Sequence, residues 1–268
     1  MNNHHLNTAI LASLKAGKAI MAIYDTPFDV EYKEDESPLT VADKHANEII
    51  NSYLIPTGIP IISEENKQVD YGIRKEWSRC WVVDPVDGTK EFIKKNGEFT
   101  VNIALVENGH PVLGVIYVPA SKTLYFGSVE EKIAFKSELT SHDEILGGIF
   151  ENAKFLNPKE SPDKKVQVVG SRSHMNQDTL DFIDNLKAQG KEVEILSKGS
   201  SLKFCLVAEG NAHVYPRYAP TMEWDTAAGQ AICNAVGVKV INSETNDQLR
   251  YNKENLLNGF FLVSAAPL

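Results

Sequence analysis

Trp81-Val82-Val83-Asp84-Pro85-Val86-Asp87-Gly88-Thr89 is the stretch on which the reading of this chain depends. A short aromatic and β-branched run marks a buried strand. It ends at Asp84, and a second carboxylate, Asp87, follows three residues later. Asp-Pro and Asp-Gly both mark turns, so a turn without chemistry is one reading. The other is a metal loop, because carboxylates placed this way can bind one hard cation or bridge two; Mg²⁺ takes oxygen ligands at short distance. The Gly88 and Thr89 amides, at the start of a short helix expected near residues 90–94, can hold a phosphate oxygen. Residue types alone weigh the two readings equally. An EF-hand is excluded, since it needs alternating ligands and a distant Glu.

Other acidic groups stand at comparable places. Glu64-Glu65 follows a strand expected over residues 59–63, where such a pair is usually a solvated edge. Asp225 follows Trp224 and precedes the small residues Thr226-Ala227-Ala228-Gly229. An Asp in the first turn of a helix is commonly a cap, but small residues after it permit close approach of another backbone. Asp43 lies near the start of a helix expected over residues 40–55, and capping again explains it.

Composition bounds the function. The chain has 268 residues, 43% hydrophobic and 24% charged, as in folded soluble proteins. That length implies one large domain or two closely joined ones. It buries enough surface to fold without a disulfide or metal, so a bound metal would be catalytic rather than structural. Lys plus Arg number 27 against 36 Asp plus Glu, a net charge of −9. This argues against a nucleic-acid partner or broad binding to anionic membranes, which need a basic field. A small anion held by local cations remains compatible. Cys80, Cys205 and Cys233 are odd in number and far apart, with no C-x-x-C. A disulfide framework is therefore not expected, and a reducing cytoplasm is. No apolar run approaches the roughly 18 residues of a spanning helix. Lys15 and Lys18 interrupt the N-terminal apolar stretch, a poor secretory signal.

Periodicity divides the chain. Leu6, Ile10, Leu14, Met21 and Tyr24 recur at helical spacing and predict an opening amphipathic helix packed on the core. Strands are expected over residues 80–83, 100–107, 112–118 and 124–127, the middle two joined by the hairpin signal Asn108-Gly109. Residues 130–163 are Glu-, Lys- and Ser-rich with little periodicity and are the best candidate for a boundary. Beyond them, strands (166–169, 193–196, 212–215, 238–241) alternate with helices (177–189, 201–209, 225–236). The expected division is an α+β half over residues 1–150, carrying most metal ligands, and an α/β half over 151–268, carrying substrate contacts and Asp225.

Together, Glu64-Glu65, Asp84-Pro85-Val86-Asp87-Gly88-Thr89 and Trp224-Asp225-Thr226-Ala227-Ala228-Gly229 resemble the motif set of the inositol monophosphatase superfamily, in the family's order. The resemblance runs from Ser37-Pro38-Leu39-Thr40-Val41-Ala42-Asp43 to the last helix. The strings over residues 84–93 and 199–210 resemble its bisphosphate nucleotidase branch. This implies a layered α-β-α-β-α sandwich of the inositol monophosphatase and fructose-1,6-bisphosphatase type, with the site between the halves. It implies two or three Mg²⁺ per site, sensitivity to lithium, and cytoplasmic placement, with a peripheral position on the inner membrane left open. Glu64, Asp84 and the Val86 carbonyl would hold the metal that activates water. Asp84, Asp87 and Asp225 would hold the metal at the leaving oxygen, so that two cations clamp an in-line displacement. Asp43 would accept from the Thr89 hydroxyl, which orients the water. Glu65 would support the ligands rather than ligate.

The implied substrate is a small bisphosphate nucleotide, adenosine 3′,5′-bisphosphate, cleaved to AMP and phosphate in sulfate assimilation. Glu64, Val86, Asp87, Gly88, Thr89 and Asp225 would face the scissile phosphate. Ser171, His174, Gly199, Ser200, Ser201, Lys203 and Arg217 would surround the 5′-phosphate and sugar, the 199–201 segment through free amides and hydroxyls at a helix start. On residue types alone, Ser200 could instead cap a helix, with Lys203 and Arg217 solvated. An inositol or sugar monophosphatase is the alternative enzyme. An interaction protein built on the same fold is the alternative of another class.

Overall fold

The computed structural model describes residues 3–27, 30–32, 38–160, 164–170 and 176–265. The N-terminal apolar stripe forms α1 (His4–Tyr24), capped by Asn3, whose side chain accepts from the His5 and Leu6 amides. A hairpin of β1 (Val30–Tyr32) and β2 (Pro38–Thr40) leads into α2 (Val41–Leu54). The helix begins at a capping box, in which Thr40 Oγ1 accepts from the Ala42 amide and the Asp43 carboxylate accepts from the Thr40 amide.

A seven-stranded sheet follows, in spatial order β3 (Ile61–Ser63), β4 (Arg79–Asp87), β5 (Thr100–Glu107), β6 (His110–Val118), β7 (Thr123–Ser128), β8 (Ile133–Glu138) and β9 (Lys154–Phe155). Only β3 and β4 pair in parallel. The short helices α3 (Tyr71–Arg74) and α4 (Thr89–Ile93) flank β4, and α5 (Leu146–Glu151) precedes β9. Asn108 and Gly109 take φ of 50° and 78°, the left-handed pair that a two-residue hairpin demands. Residues 130–155 are not irregular, as their composition suggested, but carry two more strands of this sheet. Aromatic packing of Phe126 on Phe135 and Phe150, and of Phe135 on Phe155, supplies the cohesion that the charged residues between them conceal.

The chain then enters a second, five-stranded sheet of order β11-β10-β12-β14-β13, formed by β10 (Lys165–Gly170), β11 (Glu192–Ser197), β12 (Val214–Arg217), β13 (Lys239–Asn242) and β14 (Phe261–Ser264). Its helices are α6 (Gln177–Ala188), α7 (Leu202–Ala208) and α8 (Ala227–Ala235). Strand β14 was not anticipated; it pairs antiparallel with both β12 and β13 at the chain's end.

Three apolar clusters define the layers. The first joins α1 and α2 to one face of the seven-stranded sheet. In the second, the opposite face packs against α7, α8 and the second sheet. The third packs α6 on the far side of the second sheet, through Val166, Val168, Ile183, Leu186 and Val214. The order is α-β-α-β-α, as expected.

The opening helix packs on the core as expected, although its apolar content is higher than the run lengths suggested. Helix α1, 21 residues long, is long and apolar enough to cross a membrane by length and composition. However, 56% of its most apolar stretch is buried within the protein. Its Leu6, Ile10, Leu14 and Ile20 are buried in the first apolar cluster, while Lys15 and Lys18 both pair with Asp143 on the exposed side. It is a core helix.

Candidate active site

The two carboxylates of the central motif do not sit in a loop. Strand β4 continues through Asp84, Pro85 and Val86 to Asp87. Asp84 pairs with Asn102 and Asp87 with Thr100, so three steps on β4 match two on β5. That extra residue is a β-bulge. On a regular strand, residues three apart point to opposite faces; the bulge brings both carboxylates to one cleft of about 390 Å³. Pro85 suits the bulge, having no N–H to leave unpaired. Gly88 follows at φ 94°, a conformation that favours glycine, and turns the chain into α4.

Asp225 reaches the same cleft from the other half. It ends a 3₁₀ turn (Glu223–Asp225) ahead of α8 rather than lying in that helix's first turn. The buried Glu223 carboxylate anchors the turn, accepting from the Asn252 and Lys253 amides at 2.6 and 3.0 Å and from Lys253 Nζ at 2.6 Å. Ligand oxygens of Asp84, Asp87 and Asp225 lie within 4.8 Å of one another. Close packing makes this possible, as the residue types suggested. A Cβ on Gly114 of β6 would meet the Ala228 carbonyl oxygen at 2.4 Å, so α8 lies directly on the sheet.

This arrangement is electrostatically costly as a set of bare anions. Asp84 is 1% exposed. Burial, followed by the charges of Glu64, Asp87, Asp225 and Asp43, pushes its carboxyl well above the usual range. Burial and then Asp87 push Asp225 up to about 8. Each of the three uses one oxygen within the protein. Asp84 Oδ1 accepts from Val86 N–H at 3.0 Å, Asp225 Oδ2 from Met222 N–H at 2.8 Å, and Asp87 Oδ2 from Ser201 N–H at 2.6 Å. Among the described residues, the second oxygen of each makes no hydrogen bond. Crowded, desolvated carboxylates with one oxygen each to offer fit a divalent cation, which would repay both burial and repulsion.

Glu64 lines this cleft and Glu65 does not. The Glu64 segment is held to α2 by Asn66, whose Oδ1 accepts from Asn47 and Asn51 at 2.8 and 3.0 Å. Thr89 Oγ1 is 3.2 Å from Asp43 Oδ1 and 3.3 Å from the Val86 carbonyl. Ser171 and His174 lie outside the described residues.

Lys203 and Arg217 line the same cleft. Lys203 is not solvated. It is 6% exposed, donates to the Ser200 carbonyl and lies 5.4 Å above the Tyr215 ring. Burial lowers it to about 8. Arg217 Nη2 donates to the Pro220 carbonyl at 3.1 Å, while its buried Nε makes no hydrogen bond among the described residues. The 199–201 segment differs from expectation in one respect, for its amides are not all free. Gly199 N–H donates to Glu98 at 2.8 Å and Ser201 N–H to Asp87. Ser200 does not cap α7; its hydroxyl also goes to Asp87, at 2.7 Å.

Residues 1–263 match the family model for inositol monophosphatases. The chain belongs to the inositol monophosphatase family. It is 43% identical over 253 residues to the 3′(2′),5′-bisphosphate nucleotidase CysQ of Salmonella typhimurium, covering 93% of this chain and 95% of that protein. It superimposes on the crystal structure of CysQ from Bacteroides thetaiotaomicron with a TM-score of 0.87 and 48% identity, over 98% of each chain. The inositol monophosphatase of Anabaena shares the fold, with a TM-score of 0.70 at 22% identity over 98% of this chain and 90% of that one.

On this inositol monophosphatase fold, the sequence reading overlooked residues that touch the acidic centre from behind. Thr100 and Asn102 are buried in β5 and reach Asp87. Their signal was present: two polar residues at i and i+2 in an otherwise apolar buried strand, on one face. Glu98 was overlooked because its partner, Gly199, lies 101 residues away.

Proposed function

We infer that this chain is a Mg²⁺-dependent phosphatase that removes the 3′-phosphate of adenosine 3′,5′-bisphosphate, giving AMP and phosphate, within sulfate assimilation. The observation that carries the reading is the placement of Asp84, Asp87 and Asp225 within 4.8 Å of one another, in the cleft that also holds Lys203 and Arg217. Similarity to the Salmonella and Bacteroides CysQ proteins supports the substrate class.

In this reading, Glu64, Asp84, Asp87, Asp225 and the Val86 carbonyl hold two or three Mg²⁺ per site. When bound, the ions supply charge stabilisation at the phosphate oxygens and a nucleophilic water. The chain's own groups do the rest. Thr89, fixed by Asp43, orients the attacking water. The Gly88 and Thr89 amides steady the 3′-phosphate. Lys203 and Arg217 hold the 5′-phosphate, with Ser171, His174, Gly199, Ser200 and Ser201 around the sugar and phosphate. Residues 1–150 then act as the metal-bearing half and 151–268 as the substrate half. Three buried free thiols, Cys80, Cys205 and Cys233, suit a reducing cytoplasm.

The test is phosphate release from a panel of bisphosphate nucleotides, inositol phosphates and sugar phosphates, with Mg²⁺ and with chelator. Adenosine 3′,5′-bisphosphate should be cleaved with the highest kcat/KM, and only with metal. Preference for an inositol or sugar monophosphate would replace the nucleotidase reading. No release from any member would return the chain to an interaction role.

A further inference from the structure

Five groups lie within hydrogen-bond distance of one oxygen, Asp87 Oδ2: Ser201 N and Ser201 Oγ, both at 2.6 Å, Ser200 Oγ at 2.7 Å, Asn102 Nδ2 at 3.2 Å and Thr100 Oγ1 at 3.5 Å. Among the described residues, Oδ1 makes none. Such crowding on one oxygen leaves the other to the cluster that Asp87 forms with Asp84 and Asp225.

Ser201 does more than donate to Asp87. Its Oγ is also 3.0 Å from the Asp225 main-chain carbonyl and receives Asn102 Nδ2 at 2.8 Å. Thr100 Oγ1 is 2.9 Å from Asn102 Oδ1, which turns the Asn102 amide nitrogen toward Ser201 and Asp87. Ser201 is 2% exposed, Asn102 1% and Thr100 0%. One buried hydroxyl, its single proton shared between two acceptors, therefore stands between the carboxylate of Asp87, on β4, and the backbone carbonyl of Asp225, in the turn before α8. These two acids come from different elements, a strand and a 3₁₀ turn, and repel each other, so something must set their separation.

We propose that Ser201 and Asn102 are positioning residues of the metal centre: they lock Asp87 as a one-oxygen ligand and set its distance from Asp225. The proposal rests on the metal-dependent reading above and moves Ser201 from the substrate to the metal. Groups that orient a ligating carboxylate typically contribute 10–100-fold to metal affinity.

The experiment uses the full chain as wild type, Ser201→Ala, Asn102→Ala and Ser201→Thr. Mn²⁺ binding is followed by the electron paramagnetic resonance of the free ion, and the Mg²⁺ concentration for half-maximal activity is measured in parallel. Ser201→Ala and Asn102→Ala should bind Mn²⁺ at least ten-fold more weakly and need correspondingly more Mg²⁺. Ser201→Thr, which keeps the hydroxyl, should recover most of the affinity. At saturating Mg²⁺, the remaining activity loss should be equal on adenosine 3′,5′-bisphosphate and on 3′-AMP. Should Ser201→Ala prove unfolded by circular dichroism, Asn102→Ala carries the same test. Wild-type Mn²⁺ affinity in the folded variants would overturn the proposal, as would a loss confined to the bisphosphate. Failure of the wild type itself to bind Mn²⁺ would overturn the metal reading beneath it.

Discussion

Thr89 Oγ1 lies 3.2 Å from Asp43 Oδ1, while Oδ2 of the same carboxylate accepts from the amide and hydroxyl of Thr40 at 2.8 and 2.6 Å. One buried side chain thus caps α2 and holds the threonine that opens α4, two residues past the bulged strand. Capping and contact with the site, weighed as alternatives from the sequence, are two ends of one group. The two roles separate by mutation. Thr89→Val should lower kcat by roughly 10²-fold, the scale of a lost proton-positioning group, and leave the melting temperature nearly unchanged. Asp43→Ala should lose activity and also about 1 kcal/mol of stability, the usual value of a helix cap. Denaturant unfolding beside steady-state kinetics checks both. Equal stability losses in the two variants would show that Thr89 is also structural.

Asp84 is the most buried of the three clustered carboxylates, and its neighbours Glu64, Asp87 and Asp225 are all acidic. Asp84→Asn should cut turnover by about two orders of magnitude, in line with losing a major electrostatic group. The same change should make the metal-free protein more stable, because it removes a buried charge from a repelling cluster. Thermal melts in chelator, set beside activity in Mg²⁺, should therefore move in opposite directions. A variant that loses both would mean that Asp84 supports the fold.

The raised carboxyls predict a pH dependence of definite sign. Burial, and then the charge of Asp87, push the Asp225 carboxyl up to about 8 without metal, against about 3.9 unfolded. Between these values the folded state binds the extra proton, so this contribution to stability is present at low pH and lost as pH rises through about 8. A cation must displace that proton. Mg²⁺ should therefore bind more weakly at pH 6 than at pH 8.5, release protons on binding at pH 6, and raise the melting temperature more at pH 8.5. Calorimetric titration in buffers of different ionisation enthalpy counts the protons. The released protons should fall in number in Asp225→Asn.

Lys203, buried over Tyr215 and lowered to about 8, makes the substrate side pH-sensitive in the opposite sense. Above that pH it loses its charge, and its hold on a second phosphate should weaken. Lys203→Met keeps the apolar stem and removes the ammonium group. It should cut kcat/KM for adenosine 3′,5′-bisphosphate by about 2–3 kcal/mol, the upper range for hydrogen bonds to charged groups. 3′-AMP, which lacks the remote phosphate, should be nearly unaffected. Arg217→Ala should behave alike. Equal losses on both substrates would assign these cations to the fold or the metals.

A final prediction concerns packing alone. A Cβ on Gly229 would stand 2.4 Å from Phe204 Cγ, where α7 crosses α8. Gly229→Ala should destabilise by about 1–3 kcal/mol through overpacking, visible as a lower denaturation midpoint with and without Mg²⁺.

Much of this protein was legible in one dimension. The helical stripe of α1, the Asn108-Gly109 hairpin, the alternation of strand and helix after residue 165 and the acidic motifs are local patterns, set by backbone geometry and the periodicity of burial. Resemblance of the motifs to a family gave the layer order that periodicity could not. Strands β8 and β9 were missed because their cohesion comes from phenylalanines brought together across the sheet, not from an alternating run. Asp84 to Asp87 reads as a turn because Pro and Gly punctuate it; the bulge exists only where β4 meets β5.

What the sequence by itself determined was which residue types stand at which spacings; the acidic centre and its pair of cations came from the resemblance those motifs carry. Tertiary structure alone decided how each is used. It buried Lys203, joined Asp43 to both Thr40 and Thr89, and directed the Gly199 and Ser201 amides to Glu98 and Asp87. The physical reason is that a buried polar group must find a partner. That partner can lie a hundred residues away, at a distance only the assembled sheets define.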